Sequence, residues 1–324
     1  MADQGDWAFP EAAQPNPAEV GFDLDAAMDA VVMLRAEIPE DAFTASILGT
    51  ERIGNGVVIR ADGLVLTIGY LITEASAVWL TTNNGTAVAG YPLAYDQATG
   101  FGLVQPLGRL GTPQLQRGSA ALCAAGDDVI VIGHGRRAHA LKAKVIAKRE
   151  FAGYWEYVLD EALFTAPAHP QWGGAAIVGA DGRLLGIGSL VIEESDKGRK
   201  VQGNMAVPID LLEPVLEDLL KFGRVNRPPR PWLGMYTMES NGQLVVAGVA
   251  DKGPAARAGV RQRDLVLEVA GNRVTTLADL FRKVWSLGPA GTEIPLTLGR
   301  GGDLVRARLR SADRNDFLRK PQLH

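Results

Sequence analysis

The chain has one cysteine, Cys123, so no intrachain disulfide is available to it. It lacks an excess of positive charge. With 33 Lys and Arg against 37 Asp and Glu, the net charge is −4. No basic stripe results, and nucleic acid is not an expected partner. No apolar run reaches the ~18 residues a membrane span needs. The opening MADQGDWAFPEAAQPNPAE has neither a positive n-region nor an apolar h-region, so a secretory signal is not expected and a cytoplasmic location is the default. Histidines are few: His134, His139, His169 and His324. Their spacing, with or without Cys123, matches no metal-ligand set, so no metal and no other cofactor is expected.

What is present is an ordinary soluble composition, 47% hydrophobic and 22% charged, in a length sufficient for two or three domains. Pro10, Pro15 and Pro17 break any regular element in residues 1–22, which read as a disordered tail. Trp7 and Phe9 are either a tucked aromatic pair or a subunit contact. From Asp23 to Arg35, Leu24, Ala27 and Met28 recur at helical spacing, and Val31–Leu34 read as a strand. Residues 51–105 hold short β-branched runs at 56–59, 64–68, 77–82, 86–93 and 102–104. Asp62-Gly63 and Asn84-Gly85 separate them as hairpin turns. Evenly spaced short strands with such turns argue for an antiparallel barrel. Residues 113–207 repeat the pattern, with runs at 127–133, 141–147, 157–163, 175–178, 184–191 and 204–207.

After Pro208, Leu211, Leu212, Val215, Leu216, Leu219 and Leu220 form an apolar stripe at helical spacing. Lys221 and Gly223 suit its C-terminal end. Arg227-Pro228-Pro229-Arg230-Pro231 reads as a stiff linker. Beyond it, Gly253-Pro254 and Gly259 bracket a short helix, Leu265–Val269 a strand, and Leu277–Leu287 a longer helix.

Several of these strings resemble the HtrA/DegP type of trypsin-like serine protease with a C-terminal PDZ domain. GNGVVIRADGLVLTIGYLI resembles the stretch that ends in the family's catalytic histidine. TGFGLV, thirty residues on, resembles the one that carries its catalytic aspartate. PQWGGAAIVGADG resembles the GNSGGPLV stretch, with its serine nucleophile and following turn. On that match the three catalytic positions hold Tyr70, Gly100 and Trp172. A phenol is a poor base at neutral pH, glycine has no side chain, and an indole has no nucleophilic oxygen. The second oxyanion donor falls on Pro170, which has no N–H. A displaced base at His169 would have no nucleophile nearby to serve.

WLGM, followed by GPAARAGVRQRDLVLEVAGNRV, resembles a PDZ domain of the bacterial HtrA type. The resemblance implies that Leu233, Gly234 and Met235 receive a peptide's C-terminal carboxylate on their N–H groups. Leu280, Phe281 and Val284 would line the pocket for its last side chain.

The implied fold is mainly β: a trypsin-like double antiparallel β-barrel over residues 23–226, then an α+β PDZ domain over 227–314, with tails at 1–22 and 315–324. The implied function is that of a catalytically inactive homologue, an adaptor or regulator in protein quality control. Its partners would be protein C-termini or unfolded peptide segments, an active HtrA-type relative, and copies of itself in a homotrimer. The alternatives are a structural subunit of an oligomer and an endopeptidase-like enzyme of residual or non-standard activity. Relatives of this type are often periplasmic or mitochondrial, against the location read from the N-terminus.

Overall fold

The structure is a computed structural model, and it describes residues 7–196 and 199–320. It divides into two compact units. The first takes in the chain up to Arg149, Glu161–Val225 and the residues from Arg319; the second takes in Glu150–Asp160 and Asn226–Leu318.

In the first unit, a short helix α1 (Leu24–Asp29), capped by the Asp23 carboxylate, leads into β1 (Val31–Glu37). A four-residue helix α2 (Ala45–Leu48) follows. Then come β2 (Glu51–Val58), β3 (Val65–Ile68), β4 (Ala77–Thr81), β5 (Ala87–Tyr95) and β6 (Phe101–Pro106). They close a barrel in the order β1-β2-β3-β6-β5-β4. Gly63 and Gly85 both have positive φ, as the two expected hairpin turns require.

The second barrel comprises β7 (Asp128–Ile132), β8 (Ala140–Gly153), β9 (Tyr157–Ala166), β10 (Ala176–Val178), β11 (Leu184–Asp196) and β12 (Arg199–Pro208). Its order is β10-β11-β12-β9-β8-β7. Leu141, Ala143 and Val145 alternate inward along β8 and meet Val129, Val131, Leu163 and Ile177 in the core. α3 (Glu213–Phe222) ends at Gly223 in the left-handed conformation and buries Val215, Leu216 and Leu219.

In the second unit, β13 (Met235–Ser240), β14 (Gln243–Val249), β15 (Leu265–Val269), β17 (Glu293–Arg300) and β18 (Asp303–Arg310) form one sheet in that order, and the short β16 (Asn272–Arg273) pairs with β15. Two helices join it, α4 (Pro254–Arg257) and α5 (Leu277–Ser286). β13 lies at the sheet's edge.

Three expectations need correction. The tail foreseen over 1–22 is, from Trp7 on, ordered by its own contacts: the Phe9 N–H donates to the Ala138 carbonyl and Trp7 stacks on His139 at 4.2 Å. The strand expected to end at Ala147 runs on to Gly153. The hairpin end that this creates, Glu150–Asp160, belongs to the second unit, which therefore includes more than the expected 227–314. No helix among the described residues is long and apolar enough to cross a membrane.

Candidate functional site

Tyr70 sits in the 3-10 turn that follows β3. The Gly69 N–H beside it donates to the Gly100 carbonyl at 2.7 Å. The buried guanidinium of Arg52 donates to the Tyr70 carbonyl at 2.6 Å and to that of Thr73 at 3.0 Å. From the second barrel, a register shift in β11 lies between Gly188 and Leu190, and the Ser189 carbonyl there accepts the Tyr70 hydroxyl at 2.9 Å. The Trp172 indole, which can only donate, lies beside the phenol. Burial pushes the phenol well above its usual range, and the indole donor only partly opposes this. The three positions singled out from the sequence thus come together around one half-buried, neutral phenol.

Asn55 stitches the two barrels at this point. Its backbone N–H donates to the Gly173 carbonyl at 2.8 Å, and its side-chain amide donates to the Gln171 carbonyl at 2.8 Å. Its side-chain oxygen accepts from the His134 N–H at 2.8 Å. Gly174, at φ 76°, allows the approach, because a Cβ there would overlap the Asn55 carbonyl oxygen. A cleft of about 390 Å³ opens at this seam, lined by Asn55, Tyr70, His134, Pro170, Gln171 and Trp172 among others.

The loop before Trp172 turns its donors away from the cleft. Pro170 has no N–H. The Gln171 N–H donates inward to His169 Nδ1 at 3.0 Å. With Nδ1 accepting, His169 Nε2 carries the proton and donates to the His139 carbonyl at 2.9 Å. His169 is fully buried, and burial pushes its pKa down to about 4, with the His139 carbonyl opposing. Both ring nitrogens are therefore engaged, so a displaced base at His169 has no free nitrogen to offer. His134 is likewise lowered, by burial first. Among the described residues, no group of three or more His, Cys, Asp or Glu is placed to hold a metal. His324 lies outside the described residues.

In the second unit, Leu233 and Gly234 of the loop before β13, and Met235 that opens the strand, lie in succession. Gly234 has φ 67°, which turns three successive N–H groups toward one point. That point is the carboxylate of Glu156. Leu233 donates to it at 3.0 Å, Gly234 at 2.8 Å and Met235 at 3.2 Å. Glycine at 234 serves the loop itself. A Cβ there would meet the Trp232 ring and the Ala250 methyl group, so the residue serves the loop's own packing and φ rather than the approach of a carboxylate.

Leu280, Phe281 and Val284 are buried in one cluster with Leu233, Met235 and Val158. They do not line an open pocket. Glu156 escaped notice in the sequence, where it falls in the unassigned stretch between the strands expected at 141–147 and 157–163. The one local signal is a Glu in a tight turn, and φ 63° at Glu156 is a backbone position that favours glycine or asparagine.

Residues 54–187 match the trypsin-like peptidase domain family, and residues 231–310 match the PDZ domain family. A probable periplasmic serine endoprotease DegP-like of Pseudomonas putida is 27% identical over 78% of this chain and 54% of its own length. The chain thus spans about half the length of that relative. The serine protease Do-like HtrA of Bacillus subtilis is 21% identical over 94% of this chain and 74% of its own length. Among solved structures, the HtrA-type protease AlgW with tripeptide superposes with a TM-score of 0.52 at 20% identity, covering 93% of this chain and 99% of that one. The serine endoprotease from Yersinia pestis does so with 0.52 at 23% identity, covering 91% and 99%. Both likenesses are of fold.

Proposed function

We propose, from the premise that this chain is an HtrA-type protein joining a trypsin-like peptidase domain to a PDZ domain, that it acts by binding and not by hydrolysis. It serves as an adaptor or regulator in protein quality control, and its ligands are protein C-termini or unfolded peptide segments. The observation that carries the reading is the Tyr70 hydroxyl donating to the Ser189 carbonyl beside Trp172, at the seam of the two barrels.

Acyl transfer needs a nucleophile, a base within reach of it and an oriented oxyanion donor. The Tyr70 hydroxyl is committed to a carbonyl, its raised pKa keeps it neutral at pH 7, and Trp172 offers only a donor. Pro170 and the inward Gln171 N–H withhold donors from the cleft. The names of the relatives describe active proteases, and this reading sets the chain apart from them.

The test is incubation of the full chain with fluorescent casein and with a fluorophosphonate probe. Neither turnover nor labelling is expected. Casein turnover that a single substitution abolishes would overturn the reading and identify the nucleophile. An active HtrA-type relative and a homotrimer of this chain are the assemblies the reading carries, and light scattering of the chain alone and mixed with its relative checks both.

A further inference from the structure

The loop that would receive a peptide's C-terminal carboxylate already holds one. We propose that the hairpin end Glu150–Asp160 is an in-chain ligand of this groove, with Glu156 standing in for the terminal carboxylate, and that an external peptide binds only by displacing it. The inference rests on the peptide-binding reading above and names how that binding is controlled.

Four contacts carry it, all within the second unit. Glu156 is buried, and its two oxygens take the N–H groups of Leu233, Gly234 and Met235. Three backbone N–H donors converging on one carboxyl group are the bonds by which a loop of this kind captures a terminal carboxylate. Two residues back, the Tyr154 carbonyl accepts from the Thr237 N–H at 3.3 Å, on the open edge of β13. A ligand that adds to a sheet edge uses that same main-chain donor row. Two residues on, Val158 is 8% exposed and lies in the buried cluster of Leu280, Phe281 and Val284. On α5, Arg282 pairs with Glu150 and Asp160, which flank the turn on either side. The loop, the edge strand, the apolar floor and the helix are thus all engaged by one segment of eleven residues.

The backbone of the occupant points the same way. Glu156 holds φ 63°, a left-handed conformation that strains a side-chain-bearing residue and that glycine adopts freely. A turn that served only to join two strands would gain from glycine there. Glutamate gains the three N–H groups instead.

The experiment uses the full chain and fluorescein-labelled decapeptides that end in a free Val, Leu or Phe carboxylate, with their C-terminal amides as controls. Wild type should bind the acids weakly. Glu156→Ala should bind them at least tenfold more tightly, and Glu156→Gln, which keeps the side chain's volume, should fall between. No form should bind the amides well. In parallel, hydrogen exchange should show the Leu233–Met235 amides protected in wild type and faster in both variants, without peptide. Adding an acid peptide to wild type should speed exchange in 150–160 while protecting 233–235.

Equal affinity and equal exchange in wild type and both variants would sink this inference alone. Absence of binding to every form would sink the peptide-binding reading on which it rests.

Discussion

At Gly174 a methyl group would overlap the carbonyl oxygen of Asn55, on a backbone with φ 76°. Gly174→Ala should therefore destabilise the first unit by about 2–4 kcal/mol, since overlap and left-handed strain add. Chemical denaturation checks it, and a loss under about 1 kcal/mol would mean that the seam relaxes easily. Tyr70→Phe removes one hydroxyl and leaves the buried Ser189 carbonyl without it. The expected cost is about 1–3 kcal/mol, the penalty of unsatisfied buried groups. Catalysis should not return piecemeal. Trp172→Ser alone should hydrolyse no casein. The triple change with Tyr70→His and Gly100→Asp should remain feeble, because members of such a set act as a unit and Pro170 still lacks its N–H. Brisk turnover by the single variant would show that another residue supplies the base.

The element whose behaviour is most open to test is the β8–β9 hairpin. Burial pushes Glu156 up to about 7, against the N–H groups of Leu233, Met235 and Gly234 and the positive charge of Arg314. Tyr154 and Tyr236 also face this site, and Arg282 holds Glu150 and Asp160 from α5. A carboxyl raised in the docked state binds its proton more tightly there than when released. Docking is therefore strongest below the ordinary carboxylate range and weakens as pH rises through about 7. Exchange at Leu233–Met235, corrected for its intrinsic pH dependence, should quicken several-fold between pH 6 and 8 and stay flat in Glu156→Gln. Arg282→Ala should cost no more than about 1 kcal/mol, because both of its ion pairs are exposed. The barrel strands were legible because glycine turns and alternation are local signals, as at Asp62-Gly63 and along Leu141–Val145. The cleft was legible as three residue types at family spacing. The hairpin's true end was not, because Phe151–Gly153 read as neither alternating nor turn-like until the partner loop, some 80 residues on, is in place. Gly234 was singled out as part of a carboxylate-receiving loop, but its φ of 67° and its packing against Trp232 depend on fold-level contacts that no local pattern encodes.

At the scale of the molecule, the unit boundaries do not follow the chain. Residues 227–314 alone lack the Glu150–Asp160 segment, and with it Val158 and the carboxylate on the loop. That fragment should fold less stably than one carrying 150–160 on a Gly-Ser linker. The difference should be about 2 kcal/mol or more, the burial of one valine side chain plus the loop's bonds. Thermal melts of the two fragments decide it, and equal midpoints would make the segment a bystander. A free-acid peptide should raise the melting point of the shorter fragment more, since its loop is empty of competitor. Being covalently attached also gives Glu156 a property that no soluble competitor has. A tethered group meets its site at an effective concentration of order millimolar, fixed by its linkage and indifferent to dilution. Lowering the amount of this protein would not vacate the loop. A partner of micromolar intrinsic affinity would compete poorly as a single terminus, while one that presents several termini at once would gain by avidity what each terminus lacks.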